Sequence, residues 1–279
     1  MNKIILPLSY NYIGVFLTLR CNLGCDYCIN HFGETKQYKE LSGEDWIKGL
    51  SRIQTREDLP LSLQGGEPTL HPDFYSMCLP LHIHGKHMDL LTNGMFDDKK
   101  FMQNINQDIF RRNSKYANIR FSFHANTNMM GLALKVWLLQ KSEFSVGIWG
   151  LTHPDMKEKN AEMRDLCKWL GIDYREKEFL DTTYEGYKYK SAVAGLNSSN
   201  STVMCKASEL LIAPDGSIFR CHSDLYAGVN PIAHILDENV SIKEEFRPCS
   251  RYGLCNPCDI KIKTNRFQEW GHTSVEICE

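Results

Sequence analysis

Six short apolar runs of strand character, separated by stretches of helical spacing, follow one another between residues 13 and 179. The runs are 13–19, 59–63, 87–92, 118–123, 144–151 and 174–179, and the helical stretches are 42–53, 72–81, 99–110, 129–140 and 155–170. In the first helix Trp46, Leu50 and Ile53 fall on one face, and Gly171 closes the last. Strands joined through helices lie parallel, because each right-handed crossover returns the chain to the same end of the sheet. Six are too few for a closed eight-stranded barrel, and the carboxyl ends of such strands are where chemistry is expected.

Two of those ends carry unusual residues. After the first strand comes Cys21-x3-Cys25-x2-Cys28, three thiols on one loop. Soft thiolates select zinc, copper(I) or iron–sulfur centres, and three are one short of a closed four-thiolate site. After the second strand comes Gln64-Gly65-Gly66-Glu67-Pro68. Paired glycines allow close backbone approach to a ligand, and the adjacent carboxylate suits an ammonium group.

These two motifs, in this order, resemble the radical SAM superfamily. The resemblance implies an α/β fold, a partial (β/α)6 TIM-like barrel. It also implies a [4Fe–4S] cluster on Cys21, Cys25 and Cys28 whose open iron binds S-adenosylmethionine. Reductive cleavage to a 5′-deoxyadenosyl radical and hydrogen abstraction from a substrate would follow, with an electron donor of flavodoxin or ferredoxin type. Gly65, Gly66, Glu67 and Pro68 are then expected at the methionine amino group and Tyr27 beside the adenine. Ser122 and His124, which share one face of the fourth strand, are expected towards the ribose and carboxylate. His124 stands where many relatives have an acidic residue, and an inward histidine that only packs is the competing reading. Asn93 follows the third strand as a turn residue and candidate cofactor contact. His153 points to the mouth by position, while His82, His84 and His87 read as surface.

Residues 181–204 read as a linker, with Tyr184, Tyr187 and Tyr189 among charges. Beyond it Cys205-x10-Gly216-x4-Cys221 brackets a hairpin turning at Pro214-Asp215-Gly216, and Cys249-x5-Cys255-x2-Cys258 follows. This tail resembles the SPASM and twitch extensions of radical SAM enzymes. The implied division is a core over 1–180, the linker, and a small C-terminal cysteine-rich auxiliary-cluster domain over 205–279. The single-cluster twitch form implies an auxiliary [4Fe–4S] cluster on Cys205, Cys221, Cys255 and Cys258, with Cys249 and Cys278 spare or replacing one of these. A structural zinc site is the alternative for four such cysteines. Cys78 and Cys167 lie on helical patterns and read as small buried hydrophobes.

The chain has 279 residues and a net charge of −2, which offers no electrostatic footprint for nucleic acid. No apolar run is long enough to span a bilayer, and the N-terminus is a poor signal peptide. Eleven cysteines without a secretion signal then point to metal or redox chemistry in the cytoplasm rather than disulfides. The expected function is radical oxidation of a small, oxygen-rich metabolite. That expectation rests on a chain starting close to its first strand, without room for a leader-binding domain, and on a tail suited to one auxiliary cluster. The alternative is a peptide- or protein-modifying maturase, and a remote one is a zinc-held binding module.

Overall fold

The computed structural model describes residues 2–25, 28, 36–56, 59–177 and 203–249, with the backbone alone for Val203 and Val275–Cys278. The short strand β1 (Ile4–Ile5) is followed by β2 (Tyr12–Thr18), helix α1 (Gly43–Leu50), and β3 (Ile53–Gln54), which pairs in parallel with β1. Next come β4 (Leu61–Gly65), α2 (Phe74–Ile83), β5 (Met88–Thr92), α3 (Asp98–Asn104) and β6 (Ile119–Phe123). The core alternation closes with α4 (Met129–Lys141), β7 (Val146–Leu151), α5 (Lys157–Leu170) and β8 (Asp173–Lys177). Strands β2, β4, β5, β6, β7 and β8 neighbour one another in that order, all parallel. The expected parallel six-strand unit is present, with strand bounds within about two residues of those read from periodicity.

One expected helix divides. Residues 99–110 form α3 and then a separate 3-10 turn over Gln107–Phe110. Between them Ile105 is extended, and the Asn106 side chain accepts a hydrogen bond from the Asp108 amide at 2.9 Å. A short polar side chain that captures its own backbone starts a new turn rather than continuing the old helix.

The two faces of the sheet differ. Ile13, Val15 and Leu17 of β2, Leu61 and Leu63 of β4, and Phe121 and Phe123 of β6 share one apolar cluster with the helix residues Trp46, Phe74, Phe101 and Val136. Of the alternate positions, Tyr12, Ser62, Gln64, Asp89, Arg120 and Ser122 are polar, while Phe16 joins a second apolar cluster with Leu211, Phe219 and Tyr226. Period-two alternation therefore sends one set under the helices and the other into the concave side. Near the amino end of β5, Asp89 is wholly buried and held by Arg112 at 2.9 and 3.0 Å and Arg120 at 2.9 Å. A buried carboxylate paired with two guanidiniums closes the sheet at the end away from the cysteine loop.

The tail begins with β9 (Val203–Ala207), β10 (Glu209–Ile212) and β11 (Ser217–Phe219), then α6 (His222–Ala227), β12 (Ala233–His234), β13 (Arg247–Cys249) and β14 (Val275–Cys278). The hairpin forms as expected, turning at Gly216 with φ +84°, but it does not stand apart from the core. Strand β10 pairs in parallel with β2, so the main sheet runs β12-β11-β10-β2-β4-β5-β6-β7-β8. A second sheet has the order β13-β9-β14. Core and tail thus share one sheet, with β2 in its interior.

Candidate metal and cofactor site

The loop that leaves β2 is stitched to the loop that leaves β4. The Gly66 amide donates to the Thr18 carbonyl and the Glu67 amide to the Arg20 carbonyl, both at 2.8 Å. Gly65 has φ +135°, and a Cβ on it would stand 2.1 Å from the Thr18 oxygen; a Cβ on Gly66 would stand 2.1 Å from that of Arg20. The paired glycines let the two strand exits touch, a contact that leaves no room for a side chain at either position. Below them Arg20 grips Glu40 through two bonds of 2.9 and 2.8 Å and reaches the Leu70 carbonyl at 3.2 Å, while the Thr18 hydroxyl also donates to Glu40. Burial opposes ionisation of Glu40, but the bonds from Arg20 and Thr18 prevail and hold its carboxyl below the usual range.

Glu67 faces into the protein. It is wholly buried, and Oε1 accepts from the Thr69 amide (3.1 Å), the Thr69 hydroxyl (2.6 Å) and the Thr92 hydroxyl (2.8 Å). Oε2 accepts from the Asn93 amide at 2.7 Å. Burial pushes this carboxyl up, against the four hydrogen bonds that favour its charge. The carboxylate expected to meet an ammonium group is turned into the protein, where it ties the exit of β4 to the exit of β5. Pro68, also buried, opens the 3-10 turn that Glu67 caps.

The cysteine loop hangs from this platform. Cys21 is exposed, Cys25 and Cys28 are half-buried, all three are outside any disulfide, and the Cys28 amide closes a turn onto the Cys25 carbonyl at 3.0 Å. The Cys21 sulfur accepts the Leu23 amide at 3.4 Å and an N–H of Asn93 at 3.7 Å. Asn93 also donates to the Asn22 side-chain oxygen at 2.7 Å, and Asn22 donates to the Met95 carbonyl at 3.2 Å. Among the described residues no three Cys, His, Asp or Glu side chains already stand in metal-ligating geometry. The donor chemistry nonetheless fits an iron–sulfur centre: three reduced thiols on one loop, with amide N–H groups directed at one of the sulfurs. Tyr27 lies outside the described residues.

Ser122 sits half-buried on β6 between buried Phe121 and Phe123, as alternation requires. His124 follows at the strand's end, with Thr127 bonded to its backbone in both directions. Burial, reinforced by the Lys177 ammonium, holds its imidazole down to about 4, so it is neutral at pH 7. His153 caps the turn before α5, its Nδ1 accepting from the Asp155 amide at 3.2 Å. Cys78 and Cys167 are fully buried, as expected, and burial pushes the Cys167 thiol up to about 12.

In the tail Cys205 lies on β9, paired with Arg247 of β13 and Ile277 of β14, whereas Cys221 caps α6, its sulfur accepting the Asp224 amide at 3.3 Å. Arg220 reaches the Pro248 carbonyl at 3.2 Å, fastening the segment with Cys221 to the strand with Cys249. Cys255 and Cys258 lie outside the described residues, and Cys278 is described only by its pairing with Met204. Sequence reasoning missed Glu40, Thr69 and Thr92, which carry no signal of their own and matter only because the strand exits converge.

Residues 15–127 match the radical SAM superfamily. The PqqA peptide cyclase of Ruegeria pomeroyi is 33% identical over 79 residues, 28% of this chain and 21% of that protein. The chain therefore spans about a fifth of the length of that curated relative. Among solved structures, Streptococcus suis SuiB bound to precursor peptide SuiA superposes with a TM-score of 0.58 at 13% identity, over 84% of this chain and 63% of that one. Native anSMEcpe with bound AdoMet superposes with a TM-score of 0.57 at 18% identity, over 81% of this chain and 78% of the other. These superpositions show that the chain shares its fold with SuiB and anSMEcpe.

Proposed function

We propose that this chain is a radical SAM enzyme that modifies a peptide, with a [4Fe–4S] cluster on Cys21, Cys25 and Cys28. The carrying observation is that the cysteine loop is bonded, residue by residue, to the exits of the two following strands. Gly66 and Glu67 meet Thr18 and Arg20, and Asn93 meets Asn22 and Cys21. When bound, the cluster and S-adenosylmethionine supply a 5′-deoxyadenosyl radical for hydrogen abstraction. The chain's own part is to present three thiolates, to hold the main chain of residues 64–68 rigidly beside them, and to keep Ser122 and neutral His124 on the concave face. Glu67 contributes by bracing that main chain. A cyclase of the PqqA peptide and a protein bound to the precursor peptide SuiA are among the similar proteins, which favours a peptide substrate over the small metabolite expected from sequence. The tail, over 205–279, is read as an auxiliary-cluster domain using Cys205, Cys221, Cys255 and Cys258, and a low-potential flavodoxin or ferredoxin as the electron source. No helix among the described residues is long and apolar enough to cross a membrane.

The test is anaerobic reconstitution with iron and sulfide, then incubation with dithionite and S-adenosylmethionine. The wild-type chain is expected to release 5′-deoxyadenosine, and Cys21→Ala, Cys25→Ala or Cys28→Ala to reduce release at least a hundredfold while the tail keeps its iron. Release that survives any one of these substitutions rejects the assignment. Deuterium carried from a labelled peptide, rather than from small polyols, into 5′-deoxyadenosine identifies the substrate class.

A further inference from the structure

Asn93 is nearly buried, and its orientation is fixed from three directions. Its backbone N–H donates to Glu67 Oε2 at 2.7 Å. Its Oδ1 accepts the Met95 amide at 2.8 Å, so the side-chain NH2 must face the other way, towards the cysteine loop. There one N–H meets Asn22 Oδ1 at 2.7 Å and the other is directed at Cys21 Sγ, 3.7 Å away. Asn22 is oriented in turn by its own bond to the Met95 carbonyl. Buried Glu67 thus holds Asn93, and Asn93 holds a hydrogen-bond donor against one sulfur of the candidate centre.

The geometry points to Asn93 as a positioning residue that raises the reduction potential of the centre on Cys21, Cys25 and Cys28 through its N–H···S bond to Cys21. This rests on the cluster reading given above. An N–H directed at a ligating thiolate stabilises negative charge on the sulfur. Reduction adds one electron to the centre, so the donor stabilises the reduced form more than the oxidised form. Removing it makes the centre harder to reduce without removing a ligand.

The experiment is an EPR-monitored redox titration of the reconstituted full chain, without S-adenosylmethionine. It compares wild type with Asn93→Ala, Asn93→Asp and Asn22→Ala. Asn93→Asp keeps the acceptor for Met95 and replaces the donor to sulfur with an oxygen. Iron and sulfide per chain are expected to be unchanged in all four proteins. Both Asn93 variants are expected to disfavour reduction by on the order of tenfold, about 59 mV for a one-electron couple, with Asn93→Asp shifted further. Asn22→Ala, which loosens the loop but leaves the donor to Cys21, is expected at the wild-type potential. An unshifted Asn93→Ala, or Asn22→Ala shifted as far as Asn93→Ala, overturns the inference. So does loss of iron in both Asn93 variants while Asn22→Ala retains it, because the role would then be assembly. If Cys21→Ala/Cys25→Ala/Cys28→Ala keeps the full iron content of wild type, the cluster reading itself has failed, which is a separate result.

Discussion

A carboxylate that accepts four hydrogen bonds at full burial is a brace, and in Glu67 it ties the exits of β4 and β5 together. From the sequence, Glu67 after two glycines reads as a contact for an ammonium group. The residues that consume it, Thr69, Thr92 and Asn93, are ordinary turn and strand-end residues whose convergence no local pattern announces. Glu67→Gln is expected to set an NH2 against at least one donor, the Asn93 amide or a threonine hydroxyl. Leaving one buried donor unsatisfied costs about 1–3 kcal/mol. Urea unfolding of the metal-free chain measures it, and unchanged stability would show that the carboxylate is not the brace described. Cys21, Cys25 and Cys28 were legible because their spacing alone places three thiols on one loop. Tyr27, Cys255 and Cys258 lie outside the described residues and stay with the proposal.

At the scale of elements, the parallel strands were legible because β-branched and aromatic runs alternate with helical periodicity over most of the core. The division of the 99–110 helix was not, since it turns on a single Asn106 side chain capturing the Asp108 amide. The strand exits carry a sharper expectation. Gly66→Ala would bring a methyl group within 2.1 Å of the Arg20 oxygen, on backbone that has no flexible side chain to yield. The β4 exit must then part from the β2 exit, and Arg20 lies immediately before Cys21. Gly66→Ala is therefore expected to lower iron uptake at the core loop several-fold while far-ultraviolet circular dichroism stays as in wild type. Full iron content with normal 5′-deoxyadenosine release would show that the two exits tolerate separation.

For the whole molecule, the tail was legible as a hairpin but not as part of the core sheet. All four residues of β10 are buried, which says that both faces are covered without saying by what. Its partner β2 is also almost wholly buried, and the two pair from Tyr12 opposite Glu209 to Val15 opposite Ile212. A chain ended at residue 202 would leave β2 as an open apolar edge, a template for pairing with other copies. Such a chain is expected to be recovered largely as aggregate, and size-exclusion chromatography showing a stable monomer would contradict the shared sheet.

That pairing also sets a timetable for biosynthesis. Strand β2 is made roughly two hundred residues before β10, its neighbour on one side. At about 5–20 residues per second, β2 waits some ten to forty seconds with one edge unpaired while β4 to β8 assemble on the other. The strand that leads into the three-thiol loop thus keeps one edge open until β10 has been made. Nascent chains of this protein are therefore expected to depend on chaperone protection until the tail hairpin has emerged.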